Sequence, residues 1–239
     1  MNSSSSRRIC IIPARGGSKR IPRKNIKSFA GKPMIAHSIL IALKSGLFDV
    51  VMVSTDDEPI AAISRQYGAE VPFLRSASNS DDFSGTGDVM EEVLDAYAEQ
   101  GETFDVACCI YATAPLITET RLREALLLLE KSEYDATFPV GRYSSPIWRS
   151  YKLNDVAATA MNFPEFETSR SQDLPQAYFD AGQFYWFYPK NLKIIPNKNS
   201  FGENKGAIVL EDYEVQDIDE PSDWVMATLK YKYLKSLHS

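Results

Sequence analysis

Basic residues are concentrated in a short, glycine-containing stretch near the start of the chain. The stretch runs from Pro13 to Asn25, and its five cationic side chains fall within ten residues: Arg15, Lys19, Arg20, Arg23 and Lys24. Gly16 and Gly17 permit backbone geometry that turns main-chain N–H groups towards a ligand. An apolar run at 9–12 precedes the stretch and has the composition of a short buried strand. The pattern predicts a loop that binds the polyphosphate of a nucleotide.

The distribution of charge narrows the class of ligand. The chain carries a net charge of −6, yet no acidic residue precedes Asp49. A solvated basic loop is one interpretation of such a run, but positive charge confined to one end of an acidic protein favours a small polyanion. A nucleic-acid-binding protein would more often be basic over a whole face. The stretch lacks the upstream glycine of a P-loop, and no Gly-x-Gly-x-x-Gly dinucleotide motif occurs.

A second group of chemically useful residues lies near the end of the chain. Asp217 and Asp219 flank Ile218, and in an extended segment residues two apart point to the same side. Two carboxylates on one side suit Mg²⁺, while Ile218 would anchor them in the core. Alternatively, Asp219 caps the last helix, whose first turn is marked by Pro221. Spacing alone leaves these two interpretations open.

Alternating apolar runs and helical periodicity predict the elements that position these groups. Strands are expected at 9–12, 50–53, 71–74 and 106–111, and helices at 34–45, 58–67, 88–100 and 118–131. This order predicts an α/β fold with a mostly parallel sheet and helices on both faces. Ligands of such sheets bind beyond the carboxyl ends of the strands. The basic loop, Asp56, Arg75 and the segment 112–115 should all lie at those ends.

The second half of the chain changes character between 141 and 180. Aromatic residues alternate there with prolines without a helical period, which predicts an extended arm with strands of its own. Exposed aromatic segments favour an interface. The segment 182–186 then returns to the sheet, and a helix follows through Leu234.

Length and composition favour one α/β domain over 9–239, preceded by a disordered terminus at 1–8. No apolar run is long enough for a membrane helix, and the polar start lacks the apolar core of a secretory signal. Three cysteines, Cys10, Cys108 and Cys109, lie in apolar runs. Buried, reduced thiols of this kind indicate a cytoplasmic protein rather than a disulfide framework or a zinc site.

Together, the segment 13–25 and the Gln216–Asp219 segment with its following proline and Trp224 resemble the CMP-sialic acid synthetase family of cytidylyltransferases. The match extends from Ile9 to Trp224. The resemblance implies a Rossmann-like fold of the nucleotide-diphospho-sugar transferase type, with an inserted dimerisation arm at about 141–180 and a homodimer. It also implies CTP and a nine-carbon acidic sugar as substrates and Mg²⁺ as cofactor, with neither nucleic acid nor membrane as partner.

The residues and the resemblance together suggest roles for individual side chains near the nucleotide. The catalytic candidates are Arg15, Lys24 and Asp217, and the metal candidates are Asp217 and Asp219. The nucleotide-binding candidates are Ala14, Arg15, Gly16, Gly17, Ser18, Lys19, Asn25 and Arg75. Arg20 and Arg23 are expected to face solvent. The general base stays open between a metal-bound water and Asp217.

The sugar-binding candidates are Tyr111, Arg170, Gln172, Asp180 and Gln183. The segments 168–174 and 180–186 resemble the branch of the family that acts on pseudaminic acid, a sugar of bacterial cell-surface glycans including glycosylated flagellin. Arg170 would bind the substrate carboxylate, since guanidinium pairs with it in bidentate geometry. Sialic acid enzymes commonly read Gln-Pro-Thr-Ser-Pro where this chain has Tyr111-Ala112-Thr113-Ala114-Pro115. The missing glutamine is consistent with a more hydrophobic, deoxygenated sugar.

Three alternatives remain open at this stage. The first is a cytidylyltransferase for sialic or legionaminic acid. The second is a nucleotide-binding regulatory protein that has kept the fold without the chemistry, against which the intact pair Asp217 and Asp219 argues. The third is a uridylyl- or guanylyltransferase.

Overall fold

The computed structural model describes residues 6–18, 20–80, 85–154, 159–192 and 201–237. Its strands are β1 (Arg8–Pro13), β2 (Ser28–Phe29), β3 (Lys32–Pro33), β4 (Val50–Ser54), β5 (Val106–Ile110), β6 (Ala136–Arg142), β7 (Tyr151–Leu153), β8 (Thr159–Met161), β9 (Tyr178–Asp180), β10 (Phe184–Phe187) and β11 (Lys205–Leu210). Its α-helices are α1 (Met34–Ser45), α2 (Glu58–Gln66), α3 (Thr86–Glu99), α4 (Glu119–Glu130), α5 (Pro189–Leu192) and α6 (Pro221–Ser236).

A seven-stranded sheet forms the centre of the molecule. Its strand order is β11-β6-β10-β5-β1-β4, and β9 pairs with the other end of β6. The pairs β1–β4, β1–β5 and β6–β11 are parallel, whereas β9 and β10 run antiparallel to their neighbours. The predicted mostly parallel α/β sheet is therefore confirmed, and β1 lies between two parallel strands with its carboxyl end at the basic loop.

Strand β1 is buried on both faces because the sheet is covered on both sides. Cys10 and Ile12 face one apolar cluster, which includes residues of α1 and α4, while Ile9 and Ile11 face the cluster that contains α3. A third cluster contains Ile21 of the basic loop together with Phe29, Met34, Ile218 and Ala227. This third cluster joins the two chain segments that were predicted to act together.

Two local predictions differ from the structure. No strand forms at 71–74: only Glu70 makes a bridge, with Met52 of β4, and Pro72 has no N–H with which to extend the ladder. The predicted disorder at 1–8 does not extend to its last residues. Strand β1 begins at Arg8, and the Arg7 N–H donates to Asp105 over 2.8 Å. Residues 1–5 lie outside the described part.

The segment 141–180 contains the hairpin β7–β8, which forms a small sheet apart from the central one. Trp148 packs edge-on against Phe163 and Phe166, and its indole N–H donates to the Pro175 carbonyl. Tyr151 and Leu153 of β7 are exposed. Among the described helices, none has the length and apolar character needed to cross a bilayer.

Candidate active site

The basic loop leaves β1 at Pro13 and is held by backbone and side-chain hydrogen bonds. The Ala14 N–H donates to the Ser54 carbonyl and the Gly16 N–H to the Asp56 carboxylate, each over 2.9 Å. The Asn25 side-chain amide donates to the Arg15 carbonyl over 2.9 Å. These bonds fix the turn against the carboxyl end of β4, as expected for a ligand-binding loop of a parallel sheet. Lys19, a predicted phosphate ligand, lies outside the described residues.

The aspartate segment 217–219 reaches the same place from the other end of the chain. Ile218 is fully buried in the third cluster, so its two acidic neighbours are directed away from that core. The Lys24 ammonium donates to the Ile218 carbonyl over 2.5 Å and lies 3.3 Å from the Asp219 carboxylate. Arg20 faces solvent as expected, with 59% of its side chain exposed, and its guanidinium also lies 2.9 Å from Asp219. The loop and the aspartates therefore meet, although 195 residues separate Lys24 from Asp219.

A cavity of about 390 Å³ opens between the two segments. We call it the first cavity. Its lining is mostly cationic or polar and includes Arg15, Ser18, Lys24, Asn25 and Asp219. A site of this size and composition suits an anionic ligand of nucleotide dimensions. Pro13, Arg20, Tyr111, Ala112 and Thr113 complete the wall.

The two aspartates have the properties expected of a divalent-metal site. The pKa of Asp217 lies above its usual value because burial disfavours the charged form and the Asp219 carboxylate repels a second negative charge. A bound cation would relieve both effects. In the parts of the chain that the structure describes, no three acidic, histidine or cysteine side chains come together as a metal cage. Two carboxylates with remaining positions for phosphate oxygens and water fit the coordination habit of Mg²⁺.

Glu214 anchors the start of the aspartate segment. The Arg121 guanidinium of α4 donates to both Glu214 carboxylate oxygens, at 3.0 Å and 2.7 Å, and the Glu211 N–H donates to the same carboxylate. Burial would raise the pKa of Glu214, but the bonds from Arg121 and Glu211 and the charge of Arg121 hold it below its usual value. The ion pair ties the aspartate segment to the sheet-packed helix.

Arg75 and Gln183 are both buried, and their side chains are engaged with the protein. The Arg75 guanidinium donates to the Ser54 hydroxyl over 3.0 Å and to the Ser54 carbonyl. Burial lowers the pKa of Arg75, with Asp56 and Glu92 opposing that effect. The Gln183 amide donates to the Glu214 carbonyl. In the described structure Arg75 supports the basic loop through Ser54, and Gln183 supports the aspartate segment through Glu214. Direct binding of a ligand by either residue remains a prediction.

A second cavity of about 430 Å³ shares Tyr111 with the first. Its wall combines Asp180, which accepts a hydrogen bond from the Tyr185 hydroxyl over 2.9 Å, with stacked aromatic rings. Tyr185 lies between Phe138 and Phe201, at ring-centre distances of 5.9 Å and 4.9 Å. A carboxylate beside an apolar ring surface suits a ligand that carries both hydroxyl and methyl groups.

Arg170 and Gln172 lie on the exposed arm, away from both cavities. Arg170 is an exposed residue whose guanidinium pairs with Asp173 over 2.7 Å. Neither residue lines the first or the second cavity. Of the five predicted sugar ligands, Tyr111 and Asp180 line the second cavity. Contact of Arg170 and Gln172 with the sugar remains a prediction. Such contact would have to occur in the active site of a second subunit.

Several lining residues were absent from the sequence-derived candidates. They are Arg20, Thr113, Thr86, Phe138, Tyr185, Phe201 and Lys205. Thr113 belongs to the segment 112–115, which the sequence placed at the ligand-binding strand ends without assigning it a role. The aromatic residues resemble ordinary core residues in the sequence, because nothing local shows that their outer faces border a cavity.

Replacing Gly16 by alanine should destabilise the fold, whereas replacing Gly17 by alanine should not. A Cβ at Gly16 would lie 2.8 Å from an Asp57 carboxylate oxygen, whereas nothing lies within 4 Å of one at Gly17. Asp57 caps α2 by accepting from the Ile60 N–H and also pairs with Arg23. We expect Gly16→Ala to disturb this cap at a cost of about 1–2 kcal/mol, lowering Tm by about 2–8 °C. Gly17→Ala should leave Tm unchanged in the same thermal unfolding experiment; equal shifts for both variants would contradict this packing argument.

Comparison with known proteins agrees with this geometry. The family model described as Cytidylyltransferase matches residues 9–235. A Pseudaminic acid cytidylyltransferase of Campylobacter jejuni is 40% identical over 224 residues, which cover 94% of this chain and 96% of that protein. A CMP-N,N'-diacetyllegionaminic acid synthase of Legionella pneumophila is 34% identical, covering 91% of this chain and 93% of that protein.

The fold also matches a solved structure of CMP:2-keto-3-deoxy-manno-octonic acid synthetase complexed with CTP. The TM-score is 0.69 at 17% identity, over 97% of this chain and all of that one. At this identity the likeness concerns the fold alone, and it confirms the predicted Rossmann-like nucleotidyltransferase architecture. The family model and the extended sequence identity go further: this chain belongs to the cytidylyltransferase family and is a nucleotidyltransferase.

Proposed function

We propose that this enzyme transfers CMP from CTP to pseudaminic acid, releasing pyrophosphate, with Mg²⁺ as cofactor. The observation that carries the proposal is the meeting of the basic loop with the aspartate segment, where Lys24 lies 3.3 Å from Asp219 at the wall of the first cavity. The 40% identity to a relative named as a pseudaminic acid cytidylyltransferase supports the choice of sugar. Another relative is named as a flagellin modification protein, so we place the product in cell-surface glycan synthesis.

The basic loop and the aspartate segment provide the groups that nucleotidyl transfer requires: Asp219 lines the first cavity, and Asp217 lines a surface depression that shares Asp219 with it. The reaction forms a bond between the sugar hydroxyl oxygen and the α-phosphorus and breaks the bond from that phosphorus to the pyrophosphate oxygen. Arg15 and Lys24 would hold the triphosphate and stabilise the charge that develops on the leaving group. Asp217 and Asp219 would hold Mg²⁺, which when bound supplies further charge neutralisation and alignment of the phosphates. The sugar would occupy the second cavity, with its reacting hydroxyl directed past Tyr111.

The aromatic wall of the second cavity supports a sugar that has lost hydroxyl groups. The rings of Phe138, Tyr185 and Phe201 offer apolar contact, and Asp180 offers one acceptor for a hydroxyl or amide hydrogen. Missing hydroxyls leave no unsatisfied polar group against such a wall. A legionaminic acid enzyme is the second candidate, because the Legionella relative covers nearly the same length.

A coupled assay of pyrophosphate release tests the proposal directly. The purified chain is given CTP, Mg²⁺ and, separately, pseudaminic, N,N'-diacetyllegionaminic or N-acetylneuraminic acid. We expect the highest kcat/KM with pseudaminic acid, because the rings of Phe138, Tyr185 and Phe201 give the second cavity an apolar surface for the deoxygenated positions of the sugar. An equal or higher kcat/KM with either other sugar would reassign the substrate. UTP and GTP serve as matched nucleotide controls and should release little pyrophosphate.

We further propose a cytoplasmic homodimer in which the arm 141–180 completes the neighbouring active site. Support comes from the exposed apolar residues Tyr151 and Leu153 at the arm hairpin, and from Arg170, which is exposed and lines neither cavity of its own chain. The cytoplasmic assignment is supported by three cysteines that are buried and free.

Mixing two impaired variants, assayed at a sugar concentration below the KM of Arg170→Ala, tests the contribution in trans. We expect Arg170→Ala to raise the KM for the sugar while leaving that for CTP unchanged, because the guanidinium would bind the sugar carboxylate. Co-refolding or co-expression of Arg170→Ala with Asp219→Asn should restore activity, since a mixed dimer contains one intact site. Failure of the mixture to recover, in a sample shown by light scattering to be dimeric, would place Arg170 outside the neighbouring site.

A further inference from the structure

The basic loop contains a sharp turn in which an arginine occupies an unfavourable position. The Lys24 N–H donates to the Ile21 carbonyl over 3.2 Å, and Pro22 is the second residue of this turn. Arg23, the third residue, has a φ of 56° and a ψ of 32°, which is the left-handed conformation. A proline followed by a positive φ is the pattern of a type II turn, whose third position normally carries glycine or asparagine. The Cβ of an arginine disfavours this conformation, so a compensating interaction is expected from its side chain.

The Arg23 guanidinium makes such an interaction with Asp57. Its two terminal nitrogens donate to the two carboxylate oxygens of Asp57, over 2.6 Å and 3.3 Å. Asp57 is the N-cap of α2, where it also accepts from the Ile60 N–H, and only 17% of its side chain is exposed. Burial would raise the pKa of Asp57, but the hydrogen bonds from Arg23 and Ile60 hold it below its usual value. Asp57 is therefore a charged partner whose position is fixed by the helix.

Two consecutive aspartates attach both limbs of the basic loop to the segment between β4 and α2. On the incoming limb, the Gly16 N–H donates to the Asp56 carboxylate over 2.9 Å. On the outgoing limb, Arg23 binds Asp57. The loop is thus held at its beginning and at its end by neighbouring residues of one rigid corner of the sheet.

The conformation of Arg23 sets the direction of the residues that follow it. Its carbonyl accepts from the N–H groups of Ile26 and Lys27, both over 3.0 Å, at the start of the short helix Lys24–Ile26. Lys24 and Asn25 line the first cavity, whereas Arg23 is not among the described residues of that wall. A change in the backbone at Arg23 would therefore redirect two side chains of the cavity.

We propose that Arg23 is a positioning residue for nucleotide binding, because its ion pair with Asp57 holds the turn in the conformation that directs Lys24 and Asn25 into the first cavity. The inference rests on the proposed function, in which that cavity binds CTP. When the turn is not held, only a fraction of the molecules has a competent loop, and the apparent affinity for CTP falls by that fraction. A direct attraction of the phosphates by the Arg23 charge would not depend on the backbone conformation.

Two substitutions at Arg23 separate these roles. Arg23→Ala removes the ion pair and keeps a Cβ, which opposes the left-handed conformation. Arg23→Gly removes the same pair and the same charge, but glycine adopts a positive φ readily. Calorimetric titration with CTP and Mg²⁺, without sugar, should give a Kd about tenfold higher for Arg23→Ala and within about threefold of the wild-type value for Arg23→Gly. Thermal unfolding checks that both variants are folded, since each keeps Asp57 as the cap of α2.

A substitution of Asp57 tests the other half of the pair. Asp57→Asn keeps the cap of α2, because asparagine is an equally good N-cap, and weakens the bond to Arg23. Its Kd for CTP should rise, and combining it with Arg23→Ala should add little, since both remove one interaction. The inference is overturned if Arg23→Ala binds CTP as the wild type does, if Arg23→Gly binds as weakly as Arg23→Ala, or if the two substitutions act independently. A wild-type chain that does not bind CTP would overturn the proposed function, and this inference with it.

Discussion

Replacing Asp219 by asparagine is expected to lower kcat by about 10²- to 10³-fold, because one of two carboxylates that face the cationic loop loses its charge. Asparagine keeps the shape of the side chain and can still contact Lys24 and Arg20, both of which lie close to Asp219. The fold should therefore remain intact. Pyrophosphate release measured over a range of Mg²⁺ concentrations should show a higher metal requirement as well as the lower rate.

Asp212→Asn is the matched control for this variant. Asp212 lines the surface depression that also contains Asp217 and Asp219, but its side chain is 90% exposed and it pairs only loosely with Lys230, at 3.5 Å. The substitution removes the same charge from the same region, yet kcat should change by less than about twofold, as for an exposed surface pair. Near-normal turnover of Asp219→Asn, or an equal loss in Asp212→Asn, would show that the metal site lies elsewhere.

The second large effect is expected for stability. Arg121→Ala should destabilise the fold by about 3 kcal/mol, because it leaves the Glu214 carboxylate, which is only 8% exposed, without its bidentate partner. For a chain of this length, that loss corresponds to a fall in Tm of about 6–12 °C. The measurement is thermal unfolding followed by circular dichroism.

Lys44→Ala is the corresponding control, because Lys44 pairs with Glu119 at the beginning of the same helix α4. That pair is exposed, at 76% and 37% of the two side chains, so we expect a loss below about 1 kcal/mol. A Tm for Arg121→Ala equal to that of Lys44→Ala would mean that the buried pair does not anchor the aspartate segment.

The ion pair between Glu214 and Arg121 also predicts how the free energy of unfolding changes with pH. The pKa of Glu214 is lowered in the folded protein, so the unfolded chain binds the proton more readily. The stabilisation is fully present above the unfolded pKa of about 4.3 and is lost as the pH falls through the lower, folded pKa. In Arg121→Ala this contribution is missing, so the difference in stability between the two proteins should shrink as the pH falls through that window. A difference that stays constant with pH would contradict the assignment.

Local patterns within the sequence determined most of the elements and the chemistry of two segments. Helical spacing predicted α1, which ends at Gly46 in the left-handed conformation, and continuous apolar runs predicted β1, β4 and β5. The alternation of Asp217, Ile218 and Asp219 predicted a buried isoleucine between two acids. These features follow from residues close together in the chain, where side-chain periodicity and turn chemistry act directly.

Only the tertiary structure decided which distant groups meet. The approach of Lys24 and Arg20 to Asp219 arises because Ile21 and Ile218 share one apolar cluster, and no local pattern specifies that pairing. The burial of Gln183 against the Glu214 carbonyl has the same origin, because it depends on the neighbours that the sheet order supplies. The identity of a side chain determines its chemistry, whereas packing across the whole fold determines which other groups it contacts.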